Sequence, residues 1–204
     1  GINWSDAGKA DKLIKQAAGP PPLRKAQIEV MKYSSKYAKV AVVYLAMKEH
    51  DACLIAAGSW KEKHLKIPGS ELATPGFDLL REAKFGTAKK PGKKVLILGG
   101  GGVAFDYAGT VKRLGAREVH VACLEPRAKM VAPEEDVVQA EKEGVVIHPS
   151  KTFLRIVSDK GRVQGVECMD VQSFRFGAGG RLEVETVPGS EHILPADTVI
   201  FAVG

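Results

Sequence analysis

The order of apolar runs in this chain predicts an α/β fold. A parallel sheet is expected, with an antiparallel β-meander inserted before its last strand and a partly helical segment in front. Three observations predict it. Strand-like and helix-like segments alternate as βαβαβ between residues 93 and 149. From Lys151 the pattern changes to short alternating strands separated by Gly turns. A last apolar run, "ADTVIFAVG" (196–204), returns to the style of a strand covered on both faces.

Taken in order, "SDAGKADKLIKQAAGPPP" (5–22) predicts a short helix. Ser5 or Asp6 caps it, Ala7, Ala10, Leu13, Ile14 and Ala17 share one face, and Gly19 with Pro20 to Pro22 stops it. A second helix is expected from Leu23 to about Tyr33, and "KVAVVYLAM" (39–47) reads as a strand. No functional motif stands out before residue 50. "HDACLIAAGSW" (50–60) is a buried strand entering a small-residue turn, and "KIPGSELATPG" (66–76) reads as an exposed connection punctuated by Pro-Gly pairs. The basic "AKKPGKK" (88–94) leads into Val95, and its Pro-Gly hinge is the expected domain boundary.

Beyond the hinge, "KKVLIL" is the first strand of the βαβαβ unit, and four glycines open a helix with Val103, Ala104, Ala108, Val111 and Leu114 inward. Gly115 ends that helix. "REVHVACLE" (117–125) is the next strand, with Glu125 at its end. "PEEDVVQAEKEG" (133–144) is a helix whose acidic first turn suits its positive end, and "VVIHP" (145–149) is a third strand. "TFLRIV", "RVQGVECMDVQSF" and "RLEVETV" make the meander.

Bulk composition excludes several classes. With 204 residues, 45% hydrophobic and 26% charged, the chain has ample length for a real core. No window approaches the roughly 18 uninterrupted apolar residues of a membrane span, and no segment near the start reads as a signal peptide. Opening on Gly1 with a first methionine at Met31, it reads as a processed chain or an expressed fragment. Cys53, Cys123 and Cys168 stand far apart without a CxxC pair, which signals neither an iron–sulfur cluster nor a redox dithiol and fits a reducing cytoplasm. The five histidines lack metal-ligand spacing, so no metal site is read. Net charge is +6, but residues 1–94 hold 18 Lys+Arg against 9 Asp+Glu while residues 95–204 hold 12 against 15. A basic surface spread in this way is a solvated face rather than a nucleic-acid site.

The glycines carry the chemistry. Gly99, Gly101 and Ala104 fit GxGxxA between a strand and a helix. The first glycine permits the tight turn, the second lets a pyrophosphate touch the backbone, and the small third residue lets helix pack on sheet. The anion then meets the positive end of the helix. The candidate dinucleotide loop runs over Gly99, Gly100, Gly101, Gly102, Val103 and Ala104, in a Rossmann-like arrangement. Glu125 stands where an acidic residue takes the ribose hydroxyls, the alternative being a solvated strand-end carboxylate. An S-adenosylmethionine methyltransferase shares such a turn, but its acidic residue before the glycines is replaced here by Leu98.

With those residues in view, the chain resembles the small (β) subunit of glutamate synthase and its relatives, which are flavin-dependent pyridine-nucleotide oxidoreductases that include domains of dihydropyrimidine dehydrogenase. The matching stretches are "HDACLIAAGSWKEKHLKIPG", "KKVLILGGGGVAFD", "RLGAREVHVACLEPRAKM", "EKEGVVIHPS" and "PGSEHILPADTVIFAVG". The resemblance implies an NAD(P)H domain inserted into an FAD domain. On that reading residues 95–204 bind NAD(P)H, with Ala202 and Gly204 at the cofactor, and residues 50–94 are a flavin-domain remnant plus linker, with Ala57 and Gly58 on the flavin side. Residues 1–49 form an N-terminal segment of unassigned role. Hydride passes from nicotinamide to flavin, which needs orientation rather than a protein acid, base or nucleophile, so no catalytic residue is expected.

Departures from the family pattern sharpen these expectations. The FAD domain's own glycine fingerprint is absent and the chain stops before the glycine-aspartate motif. FAD is therefore expected in a complete parent protein, while this chain alone is expected to be inactive. Leu124-Glu125 replaces the arginine pair that holds a 2′-phosphate, which favours NADH, although Arg127 and Lys129 stand within reach of a phosphate. Gly102 occupies a position the family often gives to asparagine. Met130 and Glu134 follow the family's cofactor-side loop, or pack the loop and charge a helix end; Asp106 reads as structural. The expected partners are the remaining flavin domain and an electron-acceptor domain or subunit, with no nucleic acid or membrane. The alternative reading is a non-catalytic NAD(P)-binding regulatory module.

Overall fold

The computed structural model describes residues 63–203, apart from Ala178 and Gly180. The helices expected at 5–19 and 23–33, the strands at 39–47 and 50–60, and Ala57, Gly58 and Gly204 lie outside the described residues. Contacts divide the chain after Gly58, and the described residues belong to the second compact unit.

That unit holds two sheets. β1 (Lys94–Leu98), β2 (Glu118–Ala122), β3 (Val145–His148) and β8 (Thr198–Phe201) form a parallel sheet in the order β3-β2-β1-β8. In β1, Val95 to Leu98 are all buried because both faces are covered. Val95 and Ile97 join Val119, Val121 and Ile200 under the helices, while Leu96 and Leu98 join Ile156, Val166, Cys168 and Leu194 of the antiparallel layer. The helices are α1 (Gly76–Lys84), α2 (Gly102–Arg113) and α3 (Glu134–Lys142). β4 (Lys151–Asp159), β5 (Arg162–Phe176) and β6 (Leu182–Thr186) make the antiparallel meander, and β7 (His192–Pro195) pairs with β5.

The expected α/β order, parallel sheet and inserted meander are present. Five local points differ from the sequence expectation. Residues 66–76 are not a bare exposed connection. They include a 3-10 turn at Ser70–Leu72, and the Thr74 N–H donates to the Val199 carbonyl at 2.8 Å. α1 was not anticipated; it buries Leu79 and sets Phe77 edge-on to Tyr107 at 6.4 Å between ring centroids. Val103 points outward at 42% exposure, and Phe105 and Tyr107 supply the inward face of α2 in its place. The strand before Glu125 ends at Ala122, so Glu125 sits in the loop beyond it. β7 had no signal of its own, since its residues only become a strand by pairing across to β5.

On the Ala122 face of the parallel sheet, His120 Nδ1 and His148 Nε2 lie 2.9 Å apart with their rings stacked. Glu118, next to them, pairs with Lys94 at 2.7 Å.

Candidate dinucleotide site

The chain runs β1→β2→β3 to one side of β1, and β8 returns on the other. The crevice at the carboxyl end of β1 is therefore a topological switch point, where α/β sheets bind ligands. The four glycines sit there.

They are glycines for two different reasons. Gly99 has φ 136, and a Cβ on it would lie 2.3 Å from the Ala202 carbonyl oxygen. A Cβ on Gly100 would meet Cys123 Cβ at 2.8 Å and Glu125 Oε2 at 3.3 Å. Protein atoms therefore forbid side chains at both positions. Gly101 has an ordinary extended backbone (φ −85, ψ 171), and a Cβ there would meet nothing within 4 Å. The same openness holds at Gly102. Neither conformation nor the described protein atoms require glycine at these two, so the constraint fits an outside molecule approaching the backbone.

The electrostatics point the same way. α2 begins at Gly102, no side chain caps its N-terminus, and its first turn holds no acidic residue. Its positive end thus carries no side-chain cap and no acid in its own first turn, which suits an anion. Ala104 is buried, with its N–H donating to the Gly101 carbonyl at 2.9 Å.

The loop after β2 is tied to the glycine turn. The Ala132 N–H donates to the Gly100 carbonyl at 3.2 Å, and the Gly99 N–H to the Ala122 carbonyl at 2.8 Å. Glu125 leans its carboxylate over Gly100, while its carbonyl accepts from the Ser150 N–H at 3.0 Å. Ser150 holds a left-handed backbone (φ 54), a conformation a serine adopts at a cost. Sequence reasoning missed Ser150, whose only trace is its place after His148-Pro149. Cys123 lies beneath, buried; burial first, then the Glu125 charge, pushes its thiol up to about 12, so it stays protonated and inert.

Arg127 and Lys129 share a 3-10 turn but not a fate. The Arg127 guanidinium makes a two-pronged contact with Glu134 (2.8 and 2.9 Å) and another with Glu141 (both 3.1 Å). These carboxylates raise the guanidinium further above its ordinary value, and Arg127 in turn lowers Glu134. Lys129 is exposed. Met130 packs against the core under α2 and α3. Asp106 is exposed on α2. Ala202 donates its N–H to the Leu98 carbonyl at 2.8 Å, beside Gly99. Glu141, eight residues beyond the acidic first turn's opening Pro133, carried no signal in the sequence.

The geometry can be set beside known proteins. The family model described as pyridine nucleotide-disulphide oxidoreductase matches residues 23–204. The chain is 34% identical over 162 residues to a protein named NADP(+)-dependent formate dehydrogenase subunit beta from Moorella thermoacetica, covering 77% of this chain and 23% of that one. It is 38% identical over 130 residues to the glutamate synthase NADPH small chain of Escherichia coli (strain K12), covering 63% of this chain and 27% of that one. The chain thus spans roughly a quarter of the length of each. Among solved structures, T. acidophilum thioredoxin reductase shares the fold with a TM-score of 0.51 at 19% identity, over 71% of this chain and 41% of that one.

Proposed function

Because the chain belongs to the pyridine nucleotide-disulphide oxidoreductase family, we propose that residues 95–204 are the NAD(P)H-binding part of a flavin-dependent oxidoreductase of the glutamate synthase small-subunit type. The observation that carries this is the open space at Gly101 and Gly102, at the uncapped start of α2 and the switch point of the sheet. Those residues fit a pyrophosphate. The turn Gly99–Gly102 would hold it against the backbone N–H groups, and Val103 and Ala104 complete the turn. Ala202 and Gly204 would border the nicotinamide side. Bound there, the reduced nicotinamide supplies a hydride for FAD.

The protein's part is orientation. The Gly99 turn and the Ala132–Gly100 tie fix the crevice floor, and Glu125 stands over Gly100 to accept hydrogen bonds from the ribose hydroxyls. A carboxylate at that point repels a 2′-phosphate, which favours NADH over NADPH. The two relatives named above carry NADP(H) in their names, so the nucleotide preference is the sharpest point of the reading. The flavin, with Ala57 and Gly58 on its side, belongs to the parent protein together with an acceptor domain or subunit. Both relatives are named as subunits or small chains of larger enzymes. Among the described residues no helix is long and apolar enough to cross a membrane. Separately, cysteines that stand far apart fit a reducing cytoplasm, where we place the protein.

Titrating the chain with NADH by calorimetry tests the reading. One-to-one binding supports it, and the absence of any binding of either nucleotide at millimolar concentration overturns it.

A further inference from the structure

The chain carries a cation beside the ribose position and withholds it. Arg127 lies two residues beyond Glu125, so their Cα atoms are no more than about 7.6 Å apart. An arginine so placed is the group that accommodates a 2′-phosphate in dinucleotide folds. Here its fork is held by two carboxylates on α3, Glu134 and Glu141, through four contacts of 2.8 to 3.1 Å. Glu134 and Glu141 sit seven residues apart, two helical turns on one face, so α3 presents both to the same guanidinium.

We infer that Glu134 and Glu141 are specificity-determining positioning residues that lock Arg127 away from the nucleotide. The inference rests on the dinucleotide reading above and deepens it. Two-pronged carboxylate contacts are the strong form of this pairing, and a guanidinium bound on two edges keeps few donors for a phosphate. Exposed single pairs contribute little, but a three-member cluster restrains the side chain's direction more than any one pair. The lock also fits Glu125 at the ribose position: among the described residues, Arg127, the nearest basic residue in sequence, is turned toward α3 instead.

The double-mutant logic tests it in the full chain, with NADH and NADPH affinities measured by calorimetry and folding checked by thermal unfolding. In the parent, Arg127→Gln is expected to change NADPH affinity less than twofold, because the locked arginine does not touch the ligand. Glu134→Gln with Glu141→Gln is expected to tighten NADPH at least fivefold while NADH moves less than twofold. Adding Arg127→Gln to that pair removes the gain, and Arg127→Lys keeps part of it. Weaker NADPH binding by Arg127→Gln alone would overturn the lock, since the arginine would already serve the phosphate. A gain that survives loss of Arg127 would also overturn it, by showing a general charge effect. If the double variant unfolds, Glu141→Gln alone must still shift the NADPH-to-NADH ratio in the same direction. Parent chain that binds neither nucleotide would defeat the dinucleotide reading itself and the lock with it.

Discussion

Replacing Gly101 by valine separates what the fold needs from what the ligand needs. The residue is the N-cap of α2 with φ −85 and ψ 171, a region where valine is at ease, and a Cβ there meets nothing within 4 Å. Losing an N-cap glycine for valine costs up to about 1 kcal/mol, partly offset by about 0.4–1 kcal/mol from a stiffer unfolded chain. Folding stability should therefore move by less than about 1 kcal/mol. Binding should not be so forgiving. The side chain fills the space where a pyrophosphate meets the backbone, and displacing two charge-assisted N–H contacts at about 1.5–3 kcal/mol each removes roughly 3–6 kcal/mol. At about 1.4 kcal/mol per decade, affinity for NADH falls at least ~100-fold. Gly99→Ala is the contrasting control: its Cβ would stand 2.3 Å from the Ala202 carbonyl oxygen at φ 136, so stability should drop by about 2–4 kcal/mol. Calorimetry with NADH and thermal unfolding of both variants provide the assay. A folded Gly101→Val chain with unchanged NADH affinity would refute the reasoning, because the phosphate would then lie elsewhere. So would a Gly101→Val chain as unstable as Gly99→Ala, because a protein requirement would then explain the glycine.

Further expectations follow from the same structure. Glu125→Arg should narrow or reverse an NADH preference of at least about tenfold, since it exchanges a repelled carboxylate for a matched cation beside the 2′-phosphate; tighter NADPH binding by the parent chain would remove Glu125 from the ribose. Burial first, then His120, holds His148 down at about 4, and burial with Lys94 lowers His120. Between pH 6.5 and about 4 the unfolded chain binds more protons than the folded one, so stability falls as pH falls through that window. The effect is about 1–2 kcal/mol after allowing for solvent screening. Chemical denaturation at pH 7 and pH 5 should show it and show less of it in His148→Gln; equal slopes in both would contradict it.

The βαβαβ order and the glycine turn were legible in the sequence by itself, whereas Glu125, read as the end of the second strand, lies in the loop after Ala122. Order and turn are written in contiguous residues: apolar period and length separate strand from helix, and "LGGGGVA" admits few backbones between them. Helix ends were legible for the same reason, Gly115 and Gly144 both taking positive φ just past α2 and α3. Tertiary structure decided the rest. α1 gains its place from Tyr107 and Leu80's contact with the core under α2, and β7 from its pairing with β5. Val103 matched the helical period yet is 42% exposed, because Ala104, Phe105 and Tyr107 take the buried face of α2. Arg127 looked available from its spacing; only the fold brings Glu134 and Glu141 to it. The four glycines are identical as letters, and they differ by what stands across from them: a carbonyl at Gly99, Cys123 and Glu125 at Gly100, open space at Gly101 and Gly102. Local sequence sets backbone preference within a few residues, whereas side-chain partnership is a matter of distance between segments far apart along the chain, and no periodicity encodes that distance.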